Sequence, residues 1–311
     1  MKKIDTNVSL AGIALKNPVM TASGACGYGL ELVPFFDLSR LGALVVKGLS
    51  VRPRPGNPPP RIVETCGGML NAIGLENIGL EAFVVETLPR LREHRAVVLV
   101  NILGESQEEY GTLVERLSRE EDIHGFEVNV SCPNVQRGGI TFGSDPDMLE
   151  PLVRFLRDKT ERPLIIKLSP NVTDIVDMAR RAEAGGADAL TLINTIRGMS
   201  VDAESRRPDL ATVVGGLSGP AIKPVALRMV WEVASQVRIP VIGAGGIVSA
   251  EDAVEFLISG ASALQVGTAN FRNPNACIEI IEGIEAYLDR HGMNSVGELI
   301  GSLEVAQTAA S

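Results

Sequence analysis

The stretch Gly125-Phe126-Glu127-Val128-Asn129-Val130-Ser131-Cys132-Pro133-Asn134 joins a short apolar run to a polar turn. The run predicts a buried strand, and Pro133 cannot continue strand hydrogen bonding, so Cys132 is predicted to follow the strand's end. A lone cysteine at such a position is more often a small buried hydrophobic residue than a catalyst. Asn129 and Asn134 flank it with hydrogen-bond donors and acceptors but no charge, which suits a planar ligand with amide-like edges.

The same alternation of short apolar runs and amphipathic stretches recurs along the chain. Eight runs predict strands, at 18–21, 43–47, 96–102, 125–131, 164–168, 189–194, 240–243 and 263–267. The stretches between them predict helices, at 81–93, 106–118, 145–159, 172–184, 221–236, 250–258 and 276–291. Eight strands with interposed helices indicate a parallel (β/α)8 TIM barrel, an α/β fold. A doubly wound open sheet is the rival fold, but glycine-rich turns after the last two strands favour closure.

Two connections, after strands 2 and 6, are too long to be simple strand–helix loops. The first runs from Gly48 to about Ile78 and contains the proline- and arginine-rich segment 52–61 (R-P-R-P-G-N-P-P-P-R). The second runs from Ile196 to about Ser218. Both are predicted to be structureless insertions that act as lids over a functional site. We see no repeat or second domain, and expect residues 1–311 to form one barrel domain.

Charge and hydropathy argue against a nucleic-acid-binding protein and against a membrane-spanning or secreted one. The net charge of −9 disfavours nonspecific nucleic-acid binding, which depends on a positive surface. No run is long enough for a membrane span, and the N-terminus Met1-Lys2-Lys3-Ile4-Asp5 lacks the apolar core of a signal peptide. We therefore expect a cytoplasmic protein.

Cysteine and histidine spacing argues against a metal site in this chain. The four cysteines are far apart: Cys26, Cys66, Cys132 and Cys277. They form no C-x-x-C pair, which disfavours zinc or an iron–sulfur cluster, and disulfides are not expected in a reducing cytosol. His94, His124 and His291 are isolated, and are predicted to be surface or helix-end residues rather than ligands or bases.

In a TIM barrel the carboxyl ends of the strands build the active site. Lys47 and Lys167 lie at two such ends, and burying an ammonium is costly without an anionic partner, so the pair predicts an anionic ligand. The turns Gly245-Gly246 and Gly267-Thr268 present backbone amides ahead of helices, as the phosphate site after strands 7 and 8 requires. The first turn lacks the third glycine of a dinucleotide fingerprint, so a mononucleotide-like phosphate fits better than NAD.

These motifs resemble those of the FMN-dependent dihydroorotate dehydrogenases. The resemblance runs from about Val8 to Tyr287 and is carried by Lys47-Gly48, Asn71-Ala72-Ile73-Gly74-Leu75, Asn129-Val130-Ser131-Cys132-Pro133-Asn134, Lys167, Asn194-Thr195, G-G-L-S-G-P at 215–220, Gly245-Gly246 and Gly267-Thr268. A cysteine in place of serine indicates class 1 of the family. The segments M-L-N-A-I-G-L at 69–75 and F-G-S-D-P at 142–146 resemble class 1B, the NAD-linked catalytic subunit.

The resemblance implies a reaction: oxidation of (S)-dihydroorotate to orotate in pyrimidine biosynthesis. Cys132 would remove a proton from C5 while hydride leaves C6 for the flavin N5. An unperturbed thiol has a pKa of roughly 8.5, so activity is expected to rise with pH. Lys167 would stabilise the negative charge that forms on the reduced flavin, and Lys47 would pair with the substrate carboxylate.

The resemblance also implies contact residues and no metal. Substrate contacts are expected from Lys47, Asn71, Ala72, Ile73, Gly74, Leu75, Asn129, Asn134, Asn194 and Thr195. FMN contacts are expected from Ser23, Lys47, Gly48, Asn101, Asn129, Lys167, Ile193, Gly219, Gly245, Gly246, Gly267 and Thr268.

The class 1B resemblance implies a second subunit that carries FAD and a [2Fe–2S] cluster and passes electrons to NAD⁺. Two catalytic and two electron-transfer chains would form a heterotetramer. The alternatives are a class 1A homodimer that reduces fumarate, a dihydrouridine synthase, and a barrel scaffold without catalysis. A dihydrouridine synthase would need a basic face for tRNA, which this acidic chain does not offer. The joint presence of Cys132, Lys47 and Lys167 argues against a scaffold.

Overall fold

Eight parallel strands form a barrel in the computed structural model of the chain, which describes residues 4–131 and 142–305. In chain order, the barrel strands β1 to β8 are Val19–Thr21, Leu44–Leu49, Val98–Ile102, Ile123–Asn129, Leu164–Lys167, Ala189–Leu192, Val241–Ala244 and Ala263–Val266. Each strand pairs with its neighbours in the chain. The barrel closes between β1 and β2, where Met20 bridges Ala43 and the Thr21 hydroxyl bonds to the Val45 backbone. The predicted barrel is confirmed, and no strand end differs from its predicted position by more than two residues.

Helices surround the barrel and cover its outer face. The helices α1 to α9 are Leu80–Ala82, Leu88–Arg92, Gln107–Leu117, Pro146–Arg157, Ile175–Ala184, Lys223–Ala234, Ala250–Ile258, Ala269–Arg272 and Ala276–Arg290. A π-helical segment, Phe83–Thr87, joins α1 to α2. Ser106, Asp145, Asp174 and Ser249 cap α3, α4, α5 and α7 by accepting a backbone N–H from the first turn. Within the described residues, no helix is long and apolar enough to cross a membrane.

A short hairpin closes the amino-terminal end of the barrel. Its strands, Val8–Leu10 and Ile13–Leu15, are antiparallel and joined at Ala11 and Gly12, which both have positive φ. The inward side chains of the hairpin pack into one cluster with apolar side chains from the barrel interior. The barrel therefore has one sealed end and one functional end.

The two long insertions are not structureless, which corrects the expectation from sequence. They form a four-stranded antiparallel sheet, the cover sheet, with strands in the spatial order Ile196–Met199, Val214–Ser218, Gly68–Asn71 and Ile62–Thr65. A two-stranded ribbon, Val201–Asp202 with Arg207–Pro208, extends the second insertion. Each insertion supplies two antiparallel strands. The two pairs associate because the unpaired backbone groups at the edge of one pair form hydrogen bonds with the edge of the other. The insertions thus form one unit at the carboxyl ends of the barrel strands.

His124 lies within β4 and is half-buried, so the prediction of a surface or helix-end position was wrong for this residue. The Val98 N–H donates to its Nδ1 at 3.1 Å. Burial lowers the pKa of this imidazole below its ordinary value, and the positive charge of Arg162 acts in the same direction. The folded state therefore favours the neutral imidazole.

We expect acid to destabilise the protein through His124. A group whose pKa is lower in the folded state contributes stability that is present above the unfolded pKa, about 6.5, and is lost as the pH falls through the folded pKa. The free energy of unfolding, measured with urea, should therefore fall below about pH 6.5 more steeply in the wild type than in His124→Gln. His291→Gln, at an exposed histidine, is the matched control. If the free energy of unfolding depended on pH in the same way in the wild type and in His124→Gln, this expectation would be contradicted.

Candidate active site

The inside of the barrel changes from apolar to polar toward the carboxyl ends of the strands. Alternate residues of each barrel strand point inward. The lower inward positions are apolar and include Met20, Val45, Leu99, Ile165 and Ile242. The next layer of inward positions, nearer the carboxyl ends of the strands, is polar and buried. It consists of Asn101 on β3, Glu127 on β4, Lys167 on β5, Thr191 on β6 and Gln265 on β8.

These polar side chains form one hydrogen-bonded network centred on Glu127. Its Oε1 accepts from Asn101 Nδ2 at 2.7 Å and from Lys167 Nζ at 3.2 Å. Its Oε2 accepts from the Thr191 hydroxyl at 2.9 Å and from Gln265 Nε2. Lys167 Nζ also donates to Gln265 Oε1 at 3.1 Å. The ammonium predicted at the end of β5 is therefore buried beside a carboxylate from the preceding strand, β4.

The network leaves two polar groups available to a ligand. Asn101 Oδ1 is buried and has no hydrogen-bond partner among the described residues. Lys167 donates two of its N–H groups, one to Glu127 and one to Gln265. No other side chain in the described ranges accepts a hydrogen bond from its third N–H group. A ligand with both a donor and an acceptor would satisfy these two groups.

The predicted asparagines of β4 and β6 contact each other at the mouth. Asn129 Oδ1 accepts from Asn194 Nδ2 at 3.2 Å and from the Ser131 N–H at 3.1 Å. The Thr195 N–H donates to Asn194 Oδ1 at 2.8 Å. The Tyr110 hydroxyl donates to the Asn129 carbonyl at 2.6 Å and fixes the end of β4 from outside the barrel. Both carboxamides are thereby held in one orientation.

Lys47 lies on the inward side of β2, two residues after Val45. It is half-buried, and it forms no ion pair with the residues that the structure describes. Gly48 follows it, and a Cβ there would lie 2.8 Å from Asn101 Oδ1, so glycine at this position leaves room for the Asn101 side chain. Ser23 is half-buried in the turn after β1. Lys47 is thus a cation available to an anionic ligand.

The glycine turn after β7 is held from two sides. Gly245 and Gly246 have φ of +120° and +82°, which favour glycine. A Cβ at Gly246 would lie 2.8 Å from the Lys223 backbone. Asp252 accepts from Lys223 Nζ at 2.6 Å and from the Val248 N–H at 3.0 Å. The backbone of this turn is therefore fixed before any ligand binds.

The turn after β8 meets the cover sheet. Thr268 Oγ1 donates to Ser218 Oγ at 2.8 Å. Gly219 has a φ of +97°, and a Cβ there would lie 2.7 Å from Gly68 Cα. A Cβ at Gly267 would lie 3.3 Å from the Ala22 side chain. The predicted positions Gly219, Gly267 and Thr268 therefore lie together where the backbone is tightly packed.

Ile193 links the ends of β6 and β7. It is buried, and its N–H donates to the Ala244 carbonyl at 2.9 Å. A Cβ at Gly245 would lie 3.4 Å from Ile193 Cγ1, so this side chain borders the glycine turn.

The predicted substrate loop begins inside the cover sheet. Asn71 pairs with Gly216 in register, and its Nδ2 donates to the Gly216 carbonyl at 3.3 Å. Gly74 has a φ of +77°, and a Cβ there would lie 2.5 Å from the Asn57 backbone nitrogen. The proline-rich segment thus packs directly against this loop.

Two asparagines outside the predicted site hold the rest of the loop. Asn57 donates from its backbone to the Ile73 carbonyl at 2.9 Å and from its side chain to the Ala72 carbonyl at 2.9 Å. The buried Asn77 donates to the Leu75 carbonyl at 2.8 Å. The loop 71–75 is therefore anchored along its length by the first insertion.

Most predicted site residues lie at the same end of the barrel, with two left out. Hydrogen bonds connect Asn101 and Lys167 through Glu127, and Gly48 lies beside the Asn101 side chain. Hydrogen bonds also join Asn129 to Asn194, Asn194 to the Thr195 backbone, and Asn71 to Gly216 of the cover sheet. Ser23 and Lys47 lie at the same ends, without a side-chain hydrogen bond to another predicted site residue in the described ranges. Cys132 and Asn134 lie outside the described residues.

Sequence reasoning missed Glu127, Thr191 and Gln265. Each is a polar residue within a strand that was interpreted as one apolar run. Each also occupies an inward-facing position, because successive side chains of a strand point alternately into and out of the barrel. This alternation was the signal in the sequence that could have identified them as site residues.

The chemistry of these groups fits FMN. The flavin ring and ribityl chain carry N–H and O–H donors that could satisfy Asn101 Oδ1, and ring acceptors that could take the third N–H of Lys167. Fixed backbone amides at glycine turns ahead of α7 and α8 suit a phosphate. Among the described residues, no group of three His, Cys, Asp or Glu side chains is arranged to hold a metal ion.

The chain is similar to known proteins along nearly its whole length. The family model described as dihydroorotate dehydrogenase matches residues 6–288. The chain is 57% identical over 303 residues to a dihydroorotate dehydrogenase B (NAD(+)) catalytic subunit of Geotalea uraniireducens, covering 97% of this chain and 99% of the relative. Its identity to the subunit of that name from Geotalea daltonii is 57% over 305 residues, and to that from Geobacter metallireducens 55% over 305 residues; both alignments cover 98% of this chain and 100% of the relative. The chain therefore belongs to the dihydroorotate dehydrogenase family.

Proposed function

We propose that this chain is the catalytic subunit of an NAD⁺-linked dihydroorotate dehydrogenase, which oxidises (S)-dihydroorotate to orotate in pyrimidine biosynthesis. The observation that carries the proposal is the buried Lys167 ammonium, which is held at the barrel mouth by Glu127 and Gln265 with one N–H left for a ligand. The full-length similarity to catalytic subunits of this name supports the same reaction.

FMN would supply the two-electron acceptor at this site. Ser23, Lys47, Gly48, Asn101, Asn129, Lys167, Ile193, Gly219, Gly245, Gly246, Gly267 and Thr268 would hold it. Among these, Lys167 would place a fixed positive charge where negative charge develops during the reaction, which is commonly the largest catalytic contribution. Asn101 would accept a hydrogen bond through its unpaired Oδ1.

Dihydroorotate would be bound by a cation and a ring of carboxamides. The Lys47 ammonium would pair with the substrate carboxylate. Asn71, Asn129, Asn134 and Asn194 would bond to the amide edges of the ring, with the backbone of loop 71–75 and Thr195 completing the contacts. Cys132 would take the proton from C5. The cover sheet and the loop 71–75, which Asn57 and Asn77 anchor, would exclude water from the mouth.

A partner subunit would carry electrons onward to NAD⁺. The relatives are named as catalytic subunits, which implies a second chain in those enzymes. We propose that the partner of this chain carries FAD and a [2Fe–2S] cluster, in a complex of two catalytic and two electron-transfer chains. The missing dinucleotide fingerprint in this sequence supports an NAD⁺ site on another polypeptide.

The visible spectrum of the purified chain tests the proposal first. We expect a flavin spectrum from FMN, which anaerobic addition of dihydroorotate should bleach. A colourless protein that cannot be reconstituted with FMN, or a flavin that dihydroorotate does not reduce, would contradict the proposal.

The identity of the electron acceptor is tested separately. Expressed alone, the chain is expected to oxidise dihydroorotate with dyes or oxygen but to reduce NAD⁺ negligibly. Co-expression with the partner should restore NAD⁺ reduction and allow both chains to be purified as one complex. Efficient turnover of the isolated chain with fumarate would instead assign it to class 1A, and robust NAD⁺ reduction without a partner would refute the two-subunit arrangement.

A further inference from the structure

We propose that Glu127 is a positioning residue that fixes the Lys167 ammonium, offsets its charge, and thereby lowers the reduction potential of the bound flavin. The proposal rests on the proposed function only in that FMN binds at the mouth beside Lys167. It assigns a role to a carboxylate that need not touch substrate or cofactor.

The contacts of Glu127 identify it as an ionised acceptor. Its two oxygens receive four hydrogen bonds, from Asn101, Lys167, Thr191 and Gln265. An ionised carboxylate has about four lone-pair sites and no donor, so these contacts use its full capacity. The donors come from β3, β5, β6 and β8, which restrain the carboxylate from four directions. A fully buried charge in this setting has little freedom to move.

The orientation of each neighbour follows from the two charged groups. Lys167 has only N–H groups to offer, so the amide oxygen of Gln265 faces Lys167 and its Nε2 faces Glu127. The carboxylate accepts a hydrogen bond from Asn101 Nδ2. The amide of Asn101 is therefore oriented with its Oδ1 away from Glu127, where this oxygen has no partner among the described residues. Glu127 therefore determines which atoms the barrel presents to the flavin.

The charge balance of the network bears directly on flavin reduction. Lys167 and Glu127 form a buried ion pair, with side chains 8% and 0% exposed. Charges in such surroundings are poorly screened, so each acts on a neighbouring ligand more strongly than it would in water. Lys167 favours the negative charge that a flavin gains on reduction, while Glu127 opposes it. Removing the carboxylate alone should leave a net positive site that favours the reduced flavin.

Glu127→Gln tests this role by removing the charge while keeping the shape. The readout is the midpoint potential of the bound FMN at pH 7, measured by reductive titration against an indicator dye, without dihydroorotate. We expect the equilibrium to shift toward the reduced flavin by about tenfold, which corresponds to about 30 mV for a two-electron couple. Stopped-flow reduction by dihydroorotate should become slower despite the higher potential, because Lys167 loses its anchor.

Thr191→Val is the matched control. It removes one hydrogen bond to the same carboxylate but no charge, so the midpoint potential should change by much less than in Glu127→Gln. An unchanged potential in Glu127→Gln, or an equal shift in both variants, would overturn the proposal and leave Glu127 with a purely structural role.

A second comparison covers the case in which Glu127→Gln does not fold. Lys167→Met and the double variant Glu127→Gln/Lys167→Met differ only by the carboxylate, in a barrel without the lysine. The double variant should have the higher potential of the two, and equal potentials would contradict the proposal. Because no dihydroorotate or partner subunit is used in the titration, the result is independent of substrate identity. Failure of the wild-type chain to bind FMN would refute the proposed function instead.

Discussion

Replacing Cys132 by alanine is expected to leave FMN and orotate binding intact and to slow flavin reduction by dihydroorotate by roughly 10²–10⁴-fold, the range for a missing general base. The proton on C5 of dihydroorotate needs an acceptor before the ring can become unsaturated. Cys132 follows β4, whose inward residues Glu127 and Asn129 are held by the barrel. Anaerobic stopped-flow measurement of the flavin absorbance isolates this half-reaction from electron transfer to the partner.

Cys66→Ala is the matched control for Cys132→Ala. Cys66 is exposed at the hairpin of the cover sheet, so its loss should leave the rate unchanged. The other two described cysteines cannot easily substitute as bases, because burial raises the pKa of Cys277 to about 12 and that of Cys26 well above its ordinary range. Cys132→Ser should also be slow, since a hydroxyl is much less acidic than a thiol. Flavin reduction at the wild-type rate in Cys132→Ala would show that the thiol has no catalytic role.

The barrel was predictable because its signals are local. Each strand and its following helix form one contiguous unit, and the apolar runs and capping residues such as Asp174 and Ser249 mark its limits. The cover sheet was not predictable in the same way. Its central pairing joins Asn71 to Gly216, which are 145 residues apart, and neither strand has a strong apolar alternation of its own. Such strands form because each provides the edge that the other lacks.

The candidate site was predicted in part for a similar reason. Strand-end lysines and paired glycines are visible in the sequence, and the structure places Lys167, Gly245 and Gly246 at the barrel mouth. The role of Glu127 depends on four side chains from four other strands, and no single segment contains that information. The roles assigned to Cys132 and Asn134 remain predictions from sequence.

Replacing Lys167 by methionine is expected to slow flavin reduction by about 10²–10³-fold, because it removes the fixed charge that meets developing negative charge. It should also lower the free energy of unfolding of the FMN-free chain by about 3–5 kcal/mol, since it leaves Glu127 buried without its cation. The double variant Glu127→Gln/Lys167→Met separates the two effects. With both charges gone, urea unfolding should show most of the stability restored, while the stopped-flow rate should remain as low as in Lys167→Met. Recovery of the rate together with stability would mean that Lys167 acts through the fold alone, and the electrostatic role assigned to it would be wrong.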